Sequence, residues 1–549
     1  MRLRLSPLTS LASLAVLGAA AWAGLQEEPT LAARLEVAVI RGDTGKTIPA
    51  RVYLFKDGRP FRLSPVDAML PLRVDSFYRE RVWRRGEGRP RTLEVTHDGD
   101  SHFILLDGHA EFSLPAGSYR LEAHHGFALT PGAIEFDLQA GVHKRIEPRL
   151  EPVVQDATAN WLSGDDHVHL VRDREDDPLF LAWLQAEDLS VGNFLQLQRQ
   201  VDAAAQYGFG PEAEARAPGF SIRSGQESRS AFYGHINLLG PRELLRPLSI
   251  GRVYANSPEA YPFPSVLFRS GRELGATVGF AHFDGSMEHS ALPMDLALGN
   301  LDFIEVFQFG VLKSEPWYEV LNAGFRVTGV AGSDFPAFLP RMKPYPRAIP
   351  LLGPERTLAR VEGAVEGSAY ELWAEAVRRG RVVVSNGPIL ELTVDGKEPG
   401  STLDWKEGST VVEVKAEAWF SRPIEGLEVV ANGKVVAAQR GDGEARRIAL
   451  SAKVPLTEST WIAARVRGEK AEGEPDRQAH ANPVYVLKDG VPAYVPEARA
   501  AILRRWLRDV DYYKGDALAF AKPEHRQELM EKLEETTRIL SRPPERGGR

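Results

Sequence analysis

Between Trp161 and about Leu390 the chain alternates strand-like and helix-like segments, which restricts its centre to an α/β layer or barrel. The strand-like runs are SGDDHVHL, LSVGNFLQL, FSIRSGQ, YGHINLLG, ATVGFAHF, LDFIEVFQF, FRVTGVAGSD and GRVVVSNGP. Helix-like stretches lie between several of them. In PLFLAWLQAEDL, Phe180, Leu181, Trp183 and Leu184 fall on a helical period, and AYELWAEAVRRG ends in basic residues and Gly380. Eight strand candidates in one such block point to a barrel.

The flanks are different in texture. Residues 31–150 hold short β-rich runs punctuated by Asp57-Gly58 and Asp107-Gly108, which predicts a small β-sandwich. Within it, LPAGSYRLEAHHG resembles the last strands of transthyretin-like or carboxypeptidase-regulatory-like sandwiches, which implies an accessory role. The barrel is placed at 158–390. Residues 391–490 return to β patterning, with hairpin signals at Asp395-Gly396 and Asn432-Gly433, and predict a second sandwich. Residues 496–542 form a helical tail: Ile502, Leu503, Trp506, Leu507 and Val510 make one apolar stripe, and Leu529, Leu533, Thr536 and Leu540 another. Such stripes are docking faces.

Residues 1–23 combine two arginines, a short apolar run and Ala21-Trp22-Ala23, the pattern of a cleavable export signal, with an uncleaved membrane anchor as the alternative. The expected location is periplasmic or extracellular, with no integral membrane span after cleavage. A net charge of -8 on 549 residues, with no basic run interleaved with aromatics, argues against nucleic acid and for a small-molecule substrate. Oligomeric state is not legible. The chain has no Cys, which excludes disulfides and thiolate catalysis and leaves any transition metal to His and carboxylate ligands.

Those ligands concentrate in the central block. His167 and His169 are two apart, so on a strand they project from one face. Glu227 lies just past SIRSGQ, His235 follows Gly234, His282 ends ATVGFAH, and Asp334 ends FRVTGVAGSD. All six stand at or just beyond strand ends, and in (β/α) barrels the carboxyl ends of the strands form the face where active sites assemble. Asp165 or Glu305 is suited to fix the tautomer of a ligating imidazole from behind. No Gly-x-Ser-x-Gly elbow and no phosphate-cradling Gly-x-x-x-x-Gly-Lys loop competes.

The ordered motifs GDDHVHL, AEDL (Ala186 to Leu189), SGQES with Glu227, GHINLLG with His235, GFAH with His282, AGSD with Asp334, SNGP (Ser385 to Pro388) and the late HANPVYV resemble the PHP (polymerase and histidinol phosphatase) superfamily. Within it, they are similar to the carbaryl-hydrolase-type branch, the CehA/McbA family of metallohydrolases. The resemblance runs from about Trp161 to Leu487 and implies a distorted (β/α)7 barrel with a hydrolytic site of one to three divalent metals at its C-terminal face. Two family positions depart. Where members carry Thr-Asp-His after the second strand, this chain has VGNFLQLQ, and where they carry Gly-Ser-Asp-x-His it has AGSDFP. The expectation is therefore one or two ions, most suitably zinc, with manganese or iron as alternatives, and Glu227 bridging if there are two.

The resulting expectation is an exported hydrolase in which the metal activates water against an ester-, carbamate- or amide-like bond. Glu227 and Asp166 are the candidate catalytic carboxylates, Asp166 as proton donor to the leaving group from its position alone. Alternatives are a metal-dependent phosphoesterase and a catalytically silent binding or scaffold protein.

Overall fold

The computed structural model describes residues 32–62, 72–73, 91–97, 100–153, 161–337, 351–361, 365–470 and 474–545. The export signal of residues 1–23 lies outside them. The architecture is mixed α/β with strands dominating, arranged in several sheets. Among the described residues no helix is long and apolar enough to cross a membrane.

In the N-terminal part, two sheets enclose one core. Ala33–Ala38 pairs with His109–Leu114 and His143–Ile146, while Ala50–Lys56 pairs with Asp100–Leu105 and Gly117–His124. Alternation places Leu35, Val37, Val52, Leu54, Phe112 and Leu121 in that shared interior.

The central strands form a continuous ladder. Trp161–Val168, Val191–Arg199 and Phe220–Ser230 run parallel, with Gly164 opposite Val191 and Val191 opposite Ser221. Gly234–Leu239 then runs antiparallel to both Phe220–Ser230 and Thr277–Phe280. The reason is the connection: only Ala231, Phe232 and Tyr233 separate it from the preceding strand, enough for a hairpin but not for a parallel crossover. Phe303–Gln308 and Thr328–Ala331 resume the parallel direction. An isolated parallel bridge sets Phe335 beside Val168 of the first strand.

The eighth strand-like run lies elsewhere. Val382–Ser385 pairs antiparallel with Arg356–Arg360 on one side and Gln478–Ala481 on the other, so the sheet continues into the C-terminal part. Asn482 secures this seam: its amide oxygen accepts from Gly329 N at 2.8 Å, and its nitrogen donates to Gly329 O and Val382 O at 2.9 and 3.1 Å. His480 of the same HANPVYV stretch is buried against the Tyr318 hydroxyl at 2.5 Å, and burial lowers its pKa to about 4. These two residues of the motif are structural. Beyond the seam, Ile389–Val394, Thr410–Trp419 and Arg447–Leu456 face Ile424–Ala431 and Thr460–Gly468 across a second apolar core.

Pro496–Lys514 and Pro523–Leu540 are the tail helices. Ile502, Trp506, Val510, Leu529, Leu533 and Leu540 are buried in the same core as Phe263, Phe268 and Val320 of the central part. At roughly 2 kcal/mol per buried large apolar side chain, the stripes hold the tail down. Leu507, from the first stripe, is instead 43% exposed.

Beneath the tail, Asp295 on Leu292–Ala297 is buried; its Oδ1 accepts from Ser265 Oγ at 2.5 Å and Asn300 Nδ2 at 2.8 Å. Burial raises its pKa to about 7, against which these hydrogen bonds act weakly. A carboxyl with a raised folded pKa holds its proton where the unfolded chain has lost it, so it costs stability progressively between about pH 4 and 7. Asp295→Asn should flatten that slope, by up to about 1.4 kcal/mol per pH unit. Urea unfolding at pH 5 and pH 8 checks it: parallel pH profiles for the two proteins would refute the assignment.

Candidate metal centre

The six ligand-competent side chains named from sequence converge. His167 ends Trp161–Val168 and His169 follows it; Glu227 lies in Phe220–Ser230 and His235 opens into Gly234–Leu239; His282 and Asp334 come just after Thr277–Phe280 and Thr328–Ala331. All are buried. Among the described residues, three groupings of ligand atoms are close enough to hold an ion: His167, His169 and Asp334; Glu227, His235 and His282; and His167, His282 and Glu305.

Hydrogen bonds orient the imidazoles. His169 Nδ1 lies 2.8 Å from Leu195 O, and a carbonyl can only accept, so that nitrogen carries the proton. His167 Nδ1 lies 3.1 Å from Glu305 Oε1. Asn237 also reaches this nitrogen, at 3.3 Å, and turned with its oxygen inward accepts from the same proton. With both protons on Nδ1, the two Nε2 lone pairs meet at 3.1 Å. Both also face Asp334 Oδ1, at 3.6 and 3.2 Å, and Glu227 Oε2, at 3.9 and 3.3 Å. Atoms so close need positive charge among them, either a proton on an imidazole or a metal ion.

The second grouping shares Glu227. Its Oε1 lies 3.0 Å from His235 Nδ1 and 3.7 Å from His282 Nε2. His282 Nδ1 is turned to Gln308 Oε1 at 2.7 Å, leaving Nε2 toward the centre, whereas His235 is reversed, with Nε2 3.0 Å from the Tyr254 hydroxyl. Apart from the 3.0 Å approach of His235 Nδ1 to Glu227 Oε1, these two atoms and Asp334 Oδ1 are buried with no hydrogen-bond partner among the described residues. Such atoms cost stability unless an ion or water satisfies them. The residues fit a divalent cation of the N/O type.

Electrostatics agree. Burial opposes charge on His167, but the Asp334 and Glu305 carboxylates raise its pKa well above the usual value. Burial acts against ionised Glu227, yet Arg229, whose Nε lies 2.9 Å from Oε2, and the imidazoles around it hold the carboxyl well below its ordinary range. Asp334 is likewise lowered to about 2 despite burial, by His167, His169 and His282. Burial lowers His235 to about 4. The pocket favours net positive charge opposite its carboxylates.

The backbone is strained where it delivers the ligands. His282, Phe283 and Asp334 have φ of 56, 74 and 53°. For residues with a Cβ this conformation costs about 1–2 kcal/mol each. Glu305 Oε2 holds the amide of His282 at 2.5 Å, and Lys313 Nζ its carbonyl at 2.8 Å.

Asp166 and Asp165 lie beside the cluster. Asp166 is fully buried, and neither carboxyl oxygen has a hydrogen-bond partner. Its Oδ1 lies beside Gly332, next to Glu305 Oε1, and burial followed by the Glu305 charge pushes its pKa well above the carboxylate range. It packs between Gly332 and Glu305, the carboxylate that also touches His167, where the pairing of Trp161–Val168 with Val191–Arg199 shifts register. Asp165 braces backbone instead of an imidazole: it accepts from the amides of His167 and Ser333 at 3.0 Å each and of Gly353 at 3.1 Å. Glu305 is the carboxylate behind His167. Sequence reading missed Arg229, Gln308 and Tyr254. Arg229 was accessible from spacing, since it sits two residues after Glu227 on one strand, but nothing local marks Tyr254.

Gly332 gives a direct test of this packing. A Cβ there would stand 2.3 Å from Asp166 Oδ1 and 2.9 Å from both Glu305 Oε1 and His167 Cβ. Gly332→Ala should cost roughly 1–3 kcal/mol of stability and weaken binding of an added divalent metal in a competition titration. Unchanged stability and affinity would mean that the 332–334 segment can shift freely.

No family model matches the chain, and no curated protein does. Among solved structures it is similar to PsfC from Pseudomonas syringae PB-5123, with 17% identity, a TM-score of 0.27, and coverage of 39% of this chain and 88% of that one.

Proposed function

We propose that the chain is an exported metal-dependent hydrolase acting on an ester-, carbamate- or amide-like bond, built on a distorted (β/α)7 barrel of the PHP type. The observation that carries this reading is the meeting of the His167 and His169 Nε2 atoms at 3.1 Å, facing two buried carboxylates. The run of seven paired strands from Trp161 to Ala331 and the bridge from Phe335 to Val168 support the barrel. His167, His169 and Asp334 would hold one ion, His235 and His282 a second, with Glu227 spanning both through its two oxygens.

A divalent ion supplies Lewis-acid polarisation and acidifies water near neutral pH. The chain's part is positional. Leu195 O and Glu305 keep protons on the outer nitrogens of His169 and His167, so the inner lone pairs stay directed at the cluster. Gln308 does the same for His282. Arg229 keeps Glu227 anionic. Burial excludes bulk water and strengthens each of these interactions.

The test is to purify the mature protein, load it separately with zinc, manganese and iron(II), and screen p-nitrophenyl esters, carbamates and phosphates. Metal-dependent turnover of esters or carbamates is expected. Turnover of phosphates alone would transfer the chain to the phosphoesterases, and no turnover with any loaded metal would favour a binding role.

A further inference from the structure

A cleft of about 570 Å³ lies at the opposite ends of the strands that feed the metal cluster. Asp302 and Thr328 line it, and they stand at the starts of the strands whose far ends lead to Gln308 and Asp334. None of the cluster residues lines it.

Four guanidinium groups do: Arg272, Arg326, Arg378 and Arg379. Their carboxylate partners are unevenly distributed. Arg272 donates to Asp302 at 2.8 Å, and the other oxygen of Asp302 is taken by the amide of Val278 at 2.9 Å. Arg378 and Arg379 share one carboxylate, Glu375, at 3.0 and 2.6 Å. Arg326 donates to Thr402 Oγ1 at 3.1 Å and stacks 4.6 Å from the Tyr485 ring centroid. Its Nε is buried without a hydrogen-bond partner, and among the described residues no carboxylate pairs with it. The remaining acids on the wall are the exposed Asp404 and the buried Asp295. A guanidinium over an aromatic ring, with an unsatisfied Nε and no carboxylate partner among the described residues, is pre-organised for contact with an oxyanion.

We propose that this cleft binds a small oxyanion, the phosphate or carboxylate group of a metabolite, with Arg326 as its main contact and Arg379 at its rim. The site is separate from the hydrolytic centre proposed above and does not depend on it. Its volume falls in the range of small-molecule sites.

Calorimetric titration of the full mature protein with inorganic phosphate and with succinate, at ionic strength held constant with sodium chloride, tests it. Because phosphate also binds metals, the same titration is run on the His167→Ala, His169→Ala double variant. Saturable binding that persists in that variant and weakens at least about tenfold in Arg326→Gln is expected. Arg379 has a side chain 61% exposed, so Arg379→Glu should leave the fold intact and still weaken binding, which keeps the test decisive if Arg326→Gln misfolds. Stronger binding of phosphate than succinate would mark a phosphorylated ligand, and the reverse order a carboxylate. No saturable binding of either anion, binding lost in the metal-ligand double variant, or binding unchanged in Arg326→Gln and Arg379→Glu would overturn the site.

Discussion

Replacing His167 and His169 together by alanine should remove stoichiometric metal from the protein. Both Nε2 atoms belong to the same grouping with Asp334, and His167 also lies within reach of Glu305 and His282. Loss of outer groups that merely orient ligands already costs about 10–100-fold in metal affinity, so loss of two direct ligands should exceed a hundredfold. Elemental analysis after dialysis measures it. The native protein is expected to retain one or two ions per chain and the double variant fewer; equal content in the two would remove His167 and His169 from the centre.

The second large effect is expected at Glu227. Among the described carboxylates it alone faces His169 with one oxygen, at 3.3 Å, and His235 with the other, at 3.0 Å. Glu227→Gln preserves shape but removes the negative charge between the two groupings. Two cations held close together need that charge to offset their repulsion, so occupancy should fall to no more than one ion. Activity on any substrate found by the screen should fall on the order of a thousandfold, as when a preorganised electrostatic group is removed from an active site. Metal content and turnover measured on one preparation check both. A variant that kept two ions and near-native turnover would show that another group bridges them.

How much of this was legible depended on the kind of signal. The six ligand candidates could be found because imidazoles and acids at strand ends are unusual there, whereas scattered surface residues follow no such pattern. Spacing of two placed His167 and His169 on one face. The helical tail was legible from its apolar stripes, although Leu507 lies outside the face that Ile502, Trp506 and Val510 bury. The strand Arg356–Arg360 was not legible: RTLAR is too short and too charged to stand out, and it forms because strands on both sides satisfy its backbone. Tyr254 was also invisible, since it meets His235 only through the fold of a short helix nineteen residues away.

Crystals of the zinc-loaded mature protein, measured for anomalous scattering at the zinc edge, test the central claim most directly. The account predicts one or two anomalous peaks per chain: one among His167, His169 and Asp334, and if a second is present, one between His235 and His282 with Glu227 reaching both. Three fully occupied peaks would show that further residues serve as ligands. No peak among these side chains would contradict the metal centre itself.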